Sequence, residues 1–175
     1  MHVLEWTREN NKLSYSASRL SFLTRGREMH IGGLEYNTNH KSLEIYFSGC
    51  TPPHCPGCHN EILWDFSFGF RVETIMNEID HLLMNDMVEY VWLLGGEPQD
   101  QNPEEFASFV QWVASYGKPL VLFTRYAALN PCFYGLPISY IKTGWYEKEL
   151  PSYVEPVLGI TLASSNQKVV ENKWK

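Results

Sequence analysis

From residue 42 to residue 162 the apolar positions come in short runs whose spacing alternates between strand-like and helix-like. "SLEIYF" (42–47) alternates and is rich in β-formers, which predicts a first strand. Val72, Ile75, Met76, Ile79, Leu82 and Leu83 then recur at three- and four-residue intervals, the stripe of an amphipathic helix. "EYVWLL" (89–94) is a continuous apolar run of the kind a buried parallel strand shows, cut off by Gly95 and Gly96. A second helix is marked at both ends. Asn102 is an N-cap, Pro103 takes the first position, Glu104 and Glu105 sit at the positive end, and Gly117 is a stop. Its apolar stripe is Phe106, Phe109, Val110 and Val113. "PLVLFT" (119–124), "ISYIK" (138–142) and "PVLGITL" (156–162) read as further strands, and 125–137 carries no defined element. Residues 1–28 are polar and weakly periodic, so they are set apart as an N-terminal extension, with Met29 as an alternative start and 29–175 as one domain.

Strand and helix in alternation predict an α/β fold with a parallel sheet. Functional residues of such sheets gather at the C-terminal ends of the strands. Two loops meet that condition, residues 50–60 after the first strand and "GGEP" (95–98) after the second.

Bulk properties remove several classes of function. The apolar content of 44% suits a packed core and argues against disorder. A net charge of -6, with no basic run, gives no electrostatic reason to bind nucleic acid or an anionic membrane. No apolar stretch approaches the roughly 20 residues of a membrane helix, and "MHVLEWTREN" has the form of no leader, so a cytoplasmic protein is expected.

Three of the four cysteines, Cys50, Cys55 and Cys58, fall within "SGCTPPHCPGCHN" (48–60). They are too close together to staple distant segments, and a cytoplasmic cluster of this kind is more often a metal or redox site. Three soft thiolates suit an iron–sulfur cluster, and a cubane held by three cysteines keeps one iron open to a ligand. Two other chemistries use the same residues. Zinc would add His54, His59 or Cys132 as a fourth ligand, and Cys55-Pro56-Gly57-Cys58 has the C-x-x-C form of a dithiol oxidoreductase.

The cysteine loop followed by "GGEP", which begins 37 residues after Cys58, resembles the radical S-adenosylmethionine superfamily. Within it, "FSGCTPPHCPGCHNEILWDF" (47–66), "LLGGEP" (93–98), "LFTRY" (122–126), "YIKTGWY" (140–146) and "ASSNQ" (163–167) resemble the activating proteins of anaerobic ribonucleotide reductases. The spacer between Cys50 and Cys55 has four residues, Thr51 to His54, where that family commonly has three.

The resemblance implies a partial, open parallel βα barrel and a radical S-adenosylmethionine enzyme. Cys50, Cys55 and Cys58 would ligate a 4Fe-4S cluster. Gly95, Gly96, Glu97, Pro98, Thr124, His59, Asn60, Ser165 and Asn166 would contact the cofactor, with Ser164 and Gln167 nearby. One electron from the cluster would cleave S-adenosylmethionine to methionine and a 5'-deoxyadenosyl radical, which would take a hydrogen atom from a glycine on the reductase large subunit. A low-potential donor such as flavodoxin or ferredoxin would supply the electron. Activation of another glycyl radical enzyme is the nearest alternative. Lys142 is either a contact in the site or a strand-end charge.

Overall fold

The computed structural model describes residues 28–173. Of the expected extension, residues 1–27 lie outside the described residues. The described chain holds β1 (His30–Asn37), β2 (Ser42–Ser48), β3 (Phe70–Arg71), α1 (Val72–Leu83), β4 (Tyr90–Gly95), α2 (Pro103–Ala114) and β5 (Leu120–Phe123). These are followed by β6 (Tyr140–Thr143), β7 (Tyr153–Val154), β8 (Thr161–Leu162) and β9 (Lys168–Glu171). Seven strands make one sheet in the order β3-β1-β2-β4-β5-β6-β9. Its centre, β2-β4-β5-β6, is parallel, and β1, β3 and β9 join at the two sides in antiparallel pairs.

Each helix follows from its sequence. In α1 the residues Val72, Ile75, Ile79 and Leu83 are buried at the expected spacing. In α2 the Asn102 side-chain oxygen accepts the N–H groups of Glu104 and Glu105, both at 3.1 Å, which satisfies two donors that the first turn leaves free. The buried faces of both helices join Leu43, Ile45 and Phe47 of β2, Val91 and Leu93 of β4, and Leu120 and Leu122 of β5 in the larger core cluster. Trp92 and Val121 point to the opposite face, where Ile160, Leu162 and Val169 cover them. Burial on both faces explains the unbroken apolar runs of β4 and β5.

Two segments differ from the expected pattern. "PVLGITL" is not one strand, because β7 and β8 form a separate two-stranded hairpin. The Glu155 carboxylate accepts the N–H groups of Val157 (2.9 Å) and Leu158 (3.0 Å), and Gly159 takes φ +67 so that the chain can reverse. "HIGGLEYN" (30–37), which shows no alternation, nevertheless forms β1, with a register shift at its glycines.

Candidate functional site

Parallel register between β2 and β4 pairs Phe47 with Gly95, so the two glycine-rich loops leave the sheet side by side. Phe47 is anchored from below by Phe106 and Phe109, each with ring centroids 5.5 Å away. Beyond it, Gly49 donates to Leu63 O (2.7 Å) and Cys50 donates to Trp64 O (3.2 Å), while Glu97 N donates to Gly49 O (2.8 Å). Cys50 is therefore fixed from both sides and buried. Cys55 and Cys58 are partly exposed and closed into a turn by Cys58 N to Cys55 O (3.2 Å). The N–H of Asn60 donates to Cys58 Sγ at 3.4 Å, a contact that fixes the direction of the sulfur. His54 stacks on Trp64 with centroids 4.0 Å apart and lies 2.8 Å from Cys50 O through Nε2.

Gly95 and Gly96 are required by backbone packing. A Cβ on Gly96 would lie 2.4 Å from Gly49 O and 2.8 Å from Leu63 O, and one on Gly95 would lie 2.5 Å from Phe47 O. The glycine pair thus lets the second loop press against the root of the cysteine loop. Glu97 then turns inward, 1% exposed. Its carboxylate accepts Thr124 Oγ1 (2.7 Å), Arg125 N (2.8 Å) and Gln99 N (3.1 Å), forming a strut between the ends of β4 and β5. Burial pushes this carboxyl up to about 7, against those three donors.

A cavity of about 230 Å³ opens over these strand ends. Cys50, Cys55 and Cys58 line one side, with His59, Asn60, Gly95, Gly96 and Thr124 also in its wall. Glu97, Pro98, Ser165 and Asn166 do not line it. Ser165 and Asn166 are exposed, and Asn166 donates to Trp145 O (2.8 Å) and Glu147 Oε1 (2.9 Å). In the same loop Gln167 does reach the cavity, its amide donating to Gly144 O (3.3 Å). "ASSNQ" and "KTGWYE" are accordingly one structural unit.

Arg125 and Tyr146 line the cavity beyond the expected set, and Lys142, read from the sequence as either a site contact or a strand-end charge, lines it as well. Lys142 is 9% exposed, donates to Gly144 O at 3.1 Å, and forms no ion pair among the described residues. Burial pushes its ammonium down to about 8, with Glu97 and Cys55 pulling the other way. Arg125 sits next to Thr124 at the end of "PLVLFT", and that position was the signal available in the sequence. In a chain of net charge -6, the formally charged side chains in this wall are two cations and no carboxylate.

All four cysteines are free, and Cys132 is exposed, away from the cavity wall. Among the described residues no three cysteine, histidine or acidic side chains gather closely enough to hold a single metal ion. Three cysteines in the wall of one cavity are a donor set that a 4Fe-4S cluster can use, each thiolate taking its own iron. Burial pushes the Cys50 thiol up to about 12, with Arg125 pulling it down, so cluster assembly there displaces a proton. No helix among the described residues is long and apolar enough to cross a membrane. No curated protein matches the chain. The model of a 4Fe-4S single cluster domain does match it, over residues 41–130, a span that begins just before β2 and contains all three cavity cysteines. With just over half of its length inside that match, the chain belongs to the 4Fe-4S single cluster domain family.

Proposed function

We propose that this iron–sulfur protein is a radical S-adenosylmethionine activase that places a glycyl radical on an anaerobic ribonucleotide reductase. The carrying observation is that three cysteines, with no fourth, share a cavity that continues past them to the ends of β4, β5 and β6. A 4Fe-4S cluster held there by Cys50, Cys55 and Cys58 leaves one iron for a ligand, and the rest of the cavity has room for part of that ligand. When bound, the cluster supplies the single electron that breaks the sulfonium C–S bond of S-adenosylmethionine, giving methionine and the radical that oxidises the partner's glycine.

The chain's own residues supply the surroundings. Carbonyl groups at the end of β4, next to Gly95 and Gly96, are acceptors for the amino group of the cofactor. Lys142 offers an ammonium donor to its carboxylate, and Phe123 and Tyr146 give apolar wall. The sheet in this reading is the partial, open barrel implied by the motifs, its open side admitting a glycine loop from the reductase. The order of "GGEP", "LFTRY", "YIKTGWY" and "ASSNQ" favours the reductase over other glycyl radical partners. Flavodoxin or ferredoxin fits as electron donor.

The test is anaerobic reconstitution with iron and sulfide, reduction, and electron paramagnetic resonance with and without S-adenosylmethionine. A 4Fe-4S signal that shifts with the cofactor, and methionine released on reduction, are expected. A cluster whose signal ignores the cofactor would overturn the radical mechanism while leaving the family assignment intact.

A further inference from the structure

We propose that Arg125, one of the two cations in this wall, has two roles: its guanidinium fixes the four-residue spacer between Cys50 and Cys55 and raises the reduction potential of the cluster those cysteines hold. The inference rests on the iron–sulfur assignment and not on the S-adenosylmethionine reading.

The spacer has little to hold it from within. Pro52 and Pro53 have no N–H groups, and the internal side-chain tie is His54 Nε2 at 2.8 Å from Cys50 O. The other contacts of Thr51 and Pro53 run to residues on other elements. Arg125 Nη1 donates to Pro53 O, and Nη2 donates to Thr51 O at 2.7 Å and Thr51 Oγ1 at 3.2 Å. Asp100 completes the clamp, accepting both the N–H (2.7 Å) and the hydroxyl (2.6 Å) of Thr51 on one carboxylate oxygen. That oxygen is 3.2 Å from Arg125 Nη2, and the other accepts Tyr126 OH at 2.6 Å. The planar fork of arginine matches two carbonyls on one loop, which the point charge of lysine does not.

The electrostatic half follows from burial. The Arg125 side chain is 7% exposed and lies in the wall of the cavity that the three cysteines line. Its Nε is buried without a hydrogen-bond acceptor, 3.8 Å from Glu97 Oε2. The guanidinium is thus a fixed charge between two carboxylates and the sulfurs, poorly screened by solvent. A cluster gains one negative charge on reduction. A buried cation beside it favours the reduced form, and a carboxylate behind that cation opposes it.

Three substitutions separate the two halves, with the midpoint potential read by a redox titration monitored by electron paramagnetic resonance in the absence of S-adenosylmethionine, and iron release read with a chelator. Arg125→Gln should make reduction at least tenfold less favourable, a downward shift of about 59 mV for one electron. Asp100→Asn should shift the potential upward. Arg125→Lys keeps the charge but loses the fork, so its potential should stay near that of the parent while its iron is released several-fold faster. Unchanged potentials in both Arg125→Gln and Asp100→Asn would overturn the electrostatic role, and parental iron release from Arg125→Lys would overturn the clamp. If Arg125→Gln folds by circular dichroism but retains no cluster while Arg125→Lys does, the charge is needed for assembly, and the Asp100→Asn potential decides the tuning.

Discussion

Lys142 ends up with its ammonium group inside the cavity, donating to a single carbonyl, because β6 carries it to the C-terminal end of the sheet between two buried positions. Holding a charge there without an ion-pair contact costs folding free energy, which the nearby Glu97 offsets only in part. Its depressed pKa of about 8 puts that cost at pH 8 and below, and the cost fades as the pH rises toward the ordinary lysine value of 10.5. Lys142→Met, with a similar stem and no charge, should therefore stabilise the cluster-free protein by about 2 kcal/mol at pH 7. Urea denaturation at pH 7 and pH 10 should show the gain shrinking with pH, and a constant gain would mean that packing alone is responsible. The cysteine loop was legible from residue types and spacing. The direction of a side chain was not: Glu97 looks like a charge offered to the site, yet it points into the protein, where Thr124 and two backbone N–H groups hold it. Arg125 was hidden for the same reason, since its value lies in the carbonyls of Thr51 and Pro53, more than 70 positions away.

At the scale of elements, the meeting of β2 and β4 decides whether the site forms. Gly96 sits where two backbone carbonyls would obstruct any side chain, and backbone yields less readily than a flexible side-chain tip. Gly96→Ala should cost about 3 kcal/mol of stability in the cluster-free protein and lower the iron retained per chain. Gly33→Ala provides the control, because a Cβ in β1 at that point meets nothing within 4 Å. Its effect should stay within about 0.5 kcal/mol in the same denaturation experiment. Equal effects from the two substitutions would show that glycine content, and not close approach at the loop root, is what matters. The elements most easily read from sequence were those with their own signals, namely the two helix stripes, the Asn102 cap and the buried runs of β4 and β5. By contrast β3, β7, β8 and β9 are two to four residues long, too short to show a period, and β3 and β9 are defined by pairing with a distant partner, which a local pattern does not record.

The molecule as a whole joins a parallel centre, legible in the alternation of strand and helix, to antiparallel flanks that were not, and it buries a carboxyl in each part: Glu97 at the end of β4 and Glu105 on α2 against Met29 ahead of β1. That placement has a consequence for pH dependence. Glu97 has its carboxyl raised by burial to about 7, and Glu105, which accepts Met29 N at 3.1 Å, is also raised by burial. For each, the folded chain keeps a proton that the unfolded chain gives up at the ordinary carboxylate value of 4.5. The stabilisation is complete below pH 4.5 and is lost as the pH climbs through the folded value, so these groups make stability fall between pH 4.5 and about 7. The growing negative charge of an acidic chain acts in the same direction, but salt screens that part and not the buried part. The cluster-free, reduced protein should accordingly lose about 2–3 kcal/mol between pH 5 and pH 7 in urea denaturation, with most of the loss persisting in high salt. Glu97→Gln, which cannot titrate, should flatten the profile over that range. A denaturation midpoint that rises from pH 5 to pH 7 in the parent would show that the donors around Glu97 outweigh its burial and hold the carboxylate ionised.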